Sequence, residues 1–117
     1  MLFLYLSKRL NYLFNTHNMI TITPPQISPA LESKLVEFNS RMGGVQYVFK
    51  FDNYGASVVC HDGSYGGKEN LWELAVLNAE GEITYDTPIT SDVIGWLEWE
   101  KVLDILFDIS KLQSQTT

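Results

Sequence analysis

Between Gln46 and Thr87 the chain falls into short alternating runs separated by glycine-bearing turns, a pattern that a sheet of antiparallel neighbours satisfies and a helical bundle does not. Gln46 to Phe51 sets Tyr47, Phe49 and Phe51 on one face and Gln46, Val48 and Lys50 on the other, the period of a strand with one buried side. Asp52-Asn53-Tyr54-Gly55 turns the chain into Ala56 to His61, rich in small and β-branched residues, which predicts a hairpin. The ten residues from His61 to Asn70 carry three glycines and are too polar for a strand interior. Leu71 to Leu77 is apolar on both faces, Trp72, Leu74 and Val76 against Leu71, Ala75 and Leu77, as in a central strand covered on both sides. Asn78-Ala79-Glu80-Gly81 predicts a hairpin loop, and Glu82 to Thr87 a fourth strand that Pro88 stops.

Helical patterns flank this stretch. Ser28-Pro29 offers an N-cap and a first helical proline. Leu31, Leu35, Phe38 and Met42 then fall on one stripe, predicting a helix that Gly43-Gly44 ends. Asp92 to Leu97 is expected as a short turn leading into a helix from Glu98 to about Gln113. Its broad apolar face runs through Trp99, Val102, Leu103, Leu106, Ile109 and Leu112, widened by Ile105 and Phe107. The expectation is an α+β domain: a four-stranded antiparallel meander flanked by an N-terminal and a C-terminal helix packed on one face. The other face of the third strand then needs cover, from the first twenty residues or from a second copy in a homodimer.

Residues 1–18 differ from the rest, being apolar and basic with no acidic residue. The run Leu2 to Leu6 is too short for a signal peptide core and precedes the basic pair Lys8-Arg9; Lys8, Arg9 and Asn11 interrupt any membrane span. The segment reads either as an amphipathic helix or as the product of an upstream start, with Met19 the natural one. Residues 19–117 form the single domain, large enough to bury a core without crosslinks. The formal charge is −6, and beyond residue 18 there are 6 basic against 14 acidic residues, a poor match to nucleic acid or an anionic membrane.

Few residues carry chemistry. His17 and His61 are the only histidines and Cys60 the only cysteine, too few for a structural zinc site. Cys60 and His61 are neighbours on a strand and point to opposite faces, so they make no nucleophile and base pair. Gly63-Ser64-Tyr65-Gly66-Gly67 lacks the phosphate-loop spacings and precedes a strand. No cofactor, metal or catalytic residue is expected, and the chain is read as a non-enzyme.

Two surfaces suit a partner. In the Gly-rich loop, Tyr65 between Ser64 and Gly66-Gly67 is either part of a plain connection or an aromatic anchor, with Tyr54 in the preceding turn a second candidate contact. On the last helix, Glu100, Asp104 and Asp108 recur about every 6 Å along one face. That stripe is either an ordinary solvated face or a mimic of nucleic-acid phosphates, diluted by Lys101 and Lys111.

The run from Phe51 to Val59, with Ser64-Tyr65-Gly66-Gly67, Leu71 to Leu77 and Tyr85-Asp86-Thr87-Pro88-Ile89-Thr90, resembles a family of small proteins encoded by tailed bacteriophages and prophages. The similarity covers the chain from Asn39 to Lys111 and transfers no catalytic role to any residue. It implies a phage gene product made in the host cytoplasm, an accessory protein acting on host or phage macromolecules. The expected function is binding of a host or phage protein through the Gly-rich loop and the acidic surface, as an inhibitor of a host defence or regulatory complex; the alternatives are a minor virion structural or assembly protein, a nucleic-acid-mimicking inhibitor, and an enzyme of unrecognised type.

Overall fold

A computed structural model describes residues 27–114; the leader and the extended segment expected around Ile20 to Pro25 lie outside them. The elements in order are α1 (Pro29–Glu32), β1 (Leu35–Arg41), β2 (Gly44–Lys50), β3 (Gly55–Cys60), β4 (Trp72–Leu77), β5 (Ile94–Leu97) and α2 (Trp99–Ser110). The strands form one antiparallel sheet in the order β1-β2-β3-β4-β5. The class is α+β with a meander, but among the described residues there are five strands and one main helix rather than four strands and two helices.

The expected N-terminal helix is the first correction. Ser28 does cap it, its Oγ accepting the Leu31 N–H at 3.2 Å, yet the helix ends after one turn. From Leu35 the chain is a strand, and the pairing with β2 slips by one residue between Leu35 and Glu37. That bulge sets Leu35 opposite Phe49 and Phe38 opposite Tyr47, so two residues three apart face the core. A helix and a bulged strand therefore write the same apolar spacing. Val36, Asn39 and Ser40 add no helix propensity to tip the balance, while Phe38 gains an edge-on contact with Tyr47 at 5.0 Å. Gly43, expected to end a helix, instead forms the β1–β2 turn with Met42, both at positive φ (83° and 46°).

The fourth expected strand is the second correction. Gly81 takes positive φ and Asn78 Oδ1 accepts the N–H groups of Glu80 and Glu82, so the hairpin loop forms. Beyond it only Ile83 bridges to Leu77, and Thr84 N–H reaches the Val76 carbonyl at 2.9 Å. The chain then leaves the sheet and returns as β5, the segment expected as a turn, which pairs Ile94 with Leu74 and Leu97 with Trp72. Burial explains the exchange: Ile83 and Tyr85 are half exposed, whereas Leu97 and Ile94 reach the core.

The core lies between the sheet and α2. Tyr47, Phe49, Val58, Trp72, Leu74 and Val76 from the strands meet Val102, Ile105, Leu106 and Ile109 from the helix. Trp72 sits 5.0 Å from Trp99 and 5.9 Å from Tyr47, and Asn53 Nδ2–H donates to the Leu112 carbonyl at 2.9 Å to tie down the helix end. Phe107, expected on the apolar face, is exposed with the Lys111 ammonium over its ring at 4.0 Å.

The opposite face of the sheet carries a polar ladder. Asn39 Nδ2–H donates to Gln46 Oε1 at 3.1 Å, and Gln46 Nε2–H to Ser57 Oγ at 2.8 Å. Val59, Ala75 and Leu77 on that face are nonetheless buried, beside the bridge to Ile83.

Candidate functional site

One end of the sheet collects the β1–β2 turn, the β3–β4 connection and the end of β5. The connection is built rather than slack. Ser64 Oγ accepts the His61 N–H at 3.0 Å and donates to the His61 carbonyl at 2.9 Å, while His61 Nδ1 accepts the Gly63 N–H at 3.0 Å. Gly66, at φ 91°, supplies the left-handed residue that leads into a short 3-10 turn, Gly67–Glu69. Its carbonyl accepts N–H groups from Glu69 and Leu71, each at 3.0 Å.

This frame turns Tyr65 outward, 61% exposed. Its backbone is clamped from both sides: the N–H donates to Glu73 Oε1 at 2.8 Å, and the carbonyl accepts the Trp96 N–H at 3.2 Å. The root of its side chain lies on Gly95, where a Cβ would stand 2.4 Å from Tyr65 Cβ. Only glycine admits that approach.

Trp96 is the neighbouring exposed ring, at 59%. It occupies the second bulge of the sheet, where Ile94 to Leu97 spans the length that Leu74 to Trp72 spans on β4, and it holds φ at 59°. For a bulky L-residue the left-handed region costs about 1–2 kcal/mol. Unfavourable backbone held in place by its surroundings concentrates at functional positions. Met42 adjoins the same end, 64% exposed, with its carbonyl accepting the Asp62 N–H at 3.4 Å and its terminal methyl over Gly63.

The sequence-derived candidates separate accordingly. Tyr65 stands at the surface; Ser64 and Gly67 are half-buried and Gly66 is buried, so they shape the loop beneath it. Tyr54 sits in the β2–β3 turn at the other end of the sheet, half-buried against the core, and does not join Tyr65. Glu100, Asp104 and Asp108 are all exposed on the outer side of α2. Sequence reasoning missed Met42, Glu73, Gly95 and Trp96. The available signal was the pair Ile94 and Leu97, whose spacing of three leaves the residues between them on the far side of a strand.

Elsewhere the chemistry is muted. Cys60 is buried in the core with Sγ 3.8 Å from the Gly67 carbonyl, and burial pushes its thiol above the ordinary range. His61 is half-buried. Among the described residues no three of histidine, cysteine, aspartate and glutamate gather as a metal site, and no helix is long and apolar enough to cross a membrane. No family model, curated protein or solved structure matches the chain.

Proposed function

We propose that this protein is a binding module that engages a protein partner through the exposed rings of Tyr65 and Trp96, with Met42 at their margin. The observation that carries the reading is Trp96: a large aromatic side chain, held outward in a conformation that glycine would adopt without strain. Tyrosine and tryptophan dominate the energetic centres of protein interfaces, and exposed apolar groups gathered at one place mark interaction sites. The resemblance to phage accessory proteins supports a host or phage protein as the partner and the host cytoplasm as the setting, with inhibition of a host complex as the outcome of binding.

The test is affinity capture from host lysate with the wild-type chain, Tyr65→Ala and Trp96→Ala, alongside their melting temperatures. Each substitution is expected to weaken capture of the same partner by about 2 kcal/mol or more while the fold persists. Capture unaffected by either ring refutes the reading. If charge reversal at Asp104 and Asp108 abolishes capture instead, the acidic face of α2 is the site, a reading that the exposure of all three carboxylates supports.

A further inference from the structure

We propose that the Tyr65 and Trp96 rings receive an arginine-bearing, basic segment of the partner protein. This rests on the protein-binding reading above and goes on to name the partner's chemistry. The rings belong to segments rich in carboxylates. Residues 61–73 and 94–100 contain Asp62, Glu69, Glu73, Glu98 and Glu100 against a single ammonium, Lys68, and Arg41 at the end of β1 is the basic position next to Met42. Asp62, Glu69, Glu98 and Glu100 are exposed, and Glu73 is half-buried with Oε1 on the Tyr65 N–H.

Exposed carboxylates on the segments that carry the rings favour a cation, and an exposed aromatic face attracts one through its quadrupole. The two features together favour arginine. A guanidinium is planar, stacks on a ring while its edge N–H groups still reach carboxylates, and is more weakly hydrated than an ammonium. A purely acidic surface would take lysine and arginine alike, and a purely apolar one would take neither. Long-range attraction from the rest of the body, acidic beyond residue 18, adds to the encounter rate at low salt.

Isothermal titration of the full chain with hexa-arginine, hexa-lysine and hexa-glutamate separates these cases. Hexa-arginine is expected to bind about fivefold or more tightly than hexa-lysine, and hexa-glutamate not at all. Tyr65→Ala and Trp96→Ala leave the net charge unchanged, and each is expected to weaken hexa-arginine binding about tenfold. Trp96→Gly, which fits the backbone conformation, repeats the measurement in a variant free of strain. Equal affinity for hexa-lysine and hexa-arginine, or binding that ignores both ring substitutions, overturns the proposal. If capture of a lysate partner requires Trp96 while hexa-arginine shows no advantage, protein binding stands and the arginine assignment falls. If capture ignores both rings, the site itself is misplaced.

Discussion

Replacing Trp96 by alanine and, separately, by glycine takes its two energetic roles apart. Both substitutions remove the indole. At 59% exposure the ring buries up to about 100 Å² of what an aromatic side chain can cover, so its loss costs roughly 2 kcal/mol as an upper bound. Alanine retains a Cβ at φ 59° and with it the left-handed penalty of about 1–2 kcal/mol. Glycine removes that penalty and returns about 0.5–1 kcal/mol through the greater freedom of the unfolded chain. Trp96→Gly is therefore expected to be more stable than Trp96→Ala by about 0.5–1 kcal/mol, or about 3–6 °C in melting temperature for a domain of this size. In an ordinary strand the order is the reverse. Thermal unfolding followed by circular dichroism reads the difference directly. Alanine equal to or above glycine would show that Trp96 is not held in a strained conformation, and would remove the observation on which the functional reading rests.

Three further outcomes follow from the core. Trp72→Ala removes a ring wedged between Tyr47 and Trp99 and is expected to cost about 3–5 kcal/mol, measured by urea denaturation; a loss below about 1 kcal/mol would contradict the central place given to β4. Glu32 is 2% exposed, and among the described residues neither carboxylate oxygen has a hydrogen-bond partner, so Glu32→Leu is expected to raise stability by about 1–3 kcal/mol, and a lowered melting temperature would mean that the carboxylate has a favourable role. Burial holds the Cys60 thiol above its ordinary range, so the folded chain keeps a proton that the unfolded chain releases. Its contribution is full at neutral pH and is lost as pH rises from the ordinary thiol range through the raised value. The stability difference between wild type and Cys60→Ala, measured across that range, should shrink as pH rises.

The three strands read correctly, β2, β3 and β4, are those whose core residues recur at every second position: Tyr47 and Phe49, then Ala56, Val58 and Cys60, then Trp72, Leu74 and Val76. Two of the misread segments, β1 and β5, share one cause. In β1 the core positions are Leu35 and Phe38, in β5 Ile94 and Leu97, and each pair straddles a bulge. An extra residue in a strand converts a spacing of two into a spacing of three, which belongs equally to a helix or a turn. Tyr65 was legible because glycines flank an aromatic residue in a polar run. Its neighbour Trp96 was hidden because its importance lies in a backbone angle and in Gly95 beneath Tyr65, and neither is written in composition or periodicity. Tyr54 was drawn in by its glycine-bearing turn, though the meander sends that turn to the far end of the sheet.

The bulge at Val36 also bears on how copies of this protein behave toward one another in concentrated solution. Among the described residues β1 has a neighbour on one side only, and a long straight edge of that kind is a template on which a second chain can add a strand. The slip between Leu35 and Glu37 breaks the even row of backbone donors and acceptors there and sharpens the local twist. An incoming strand finds only the four or five residues beyond it in register, with the carboxylate of Glu37 at their start. Deleting Val36 would straighten that edge and leave a continuous ladder open to solvent, so the irregularity that obscures β1 in the sequence is also a guard against aggregation.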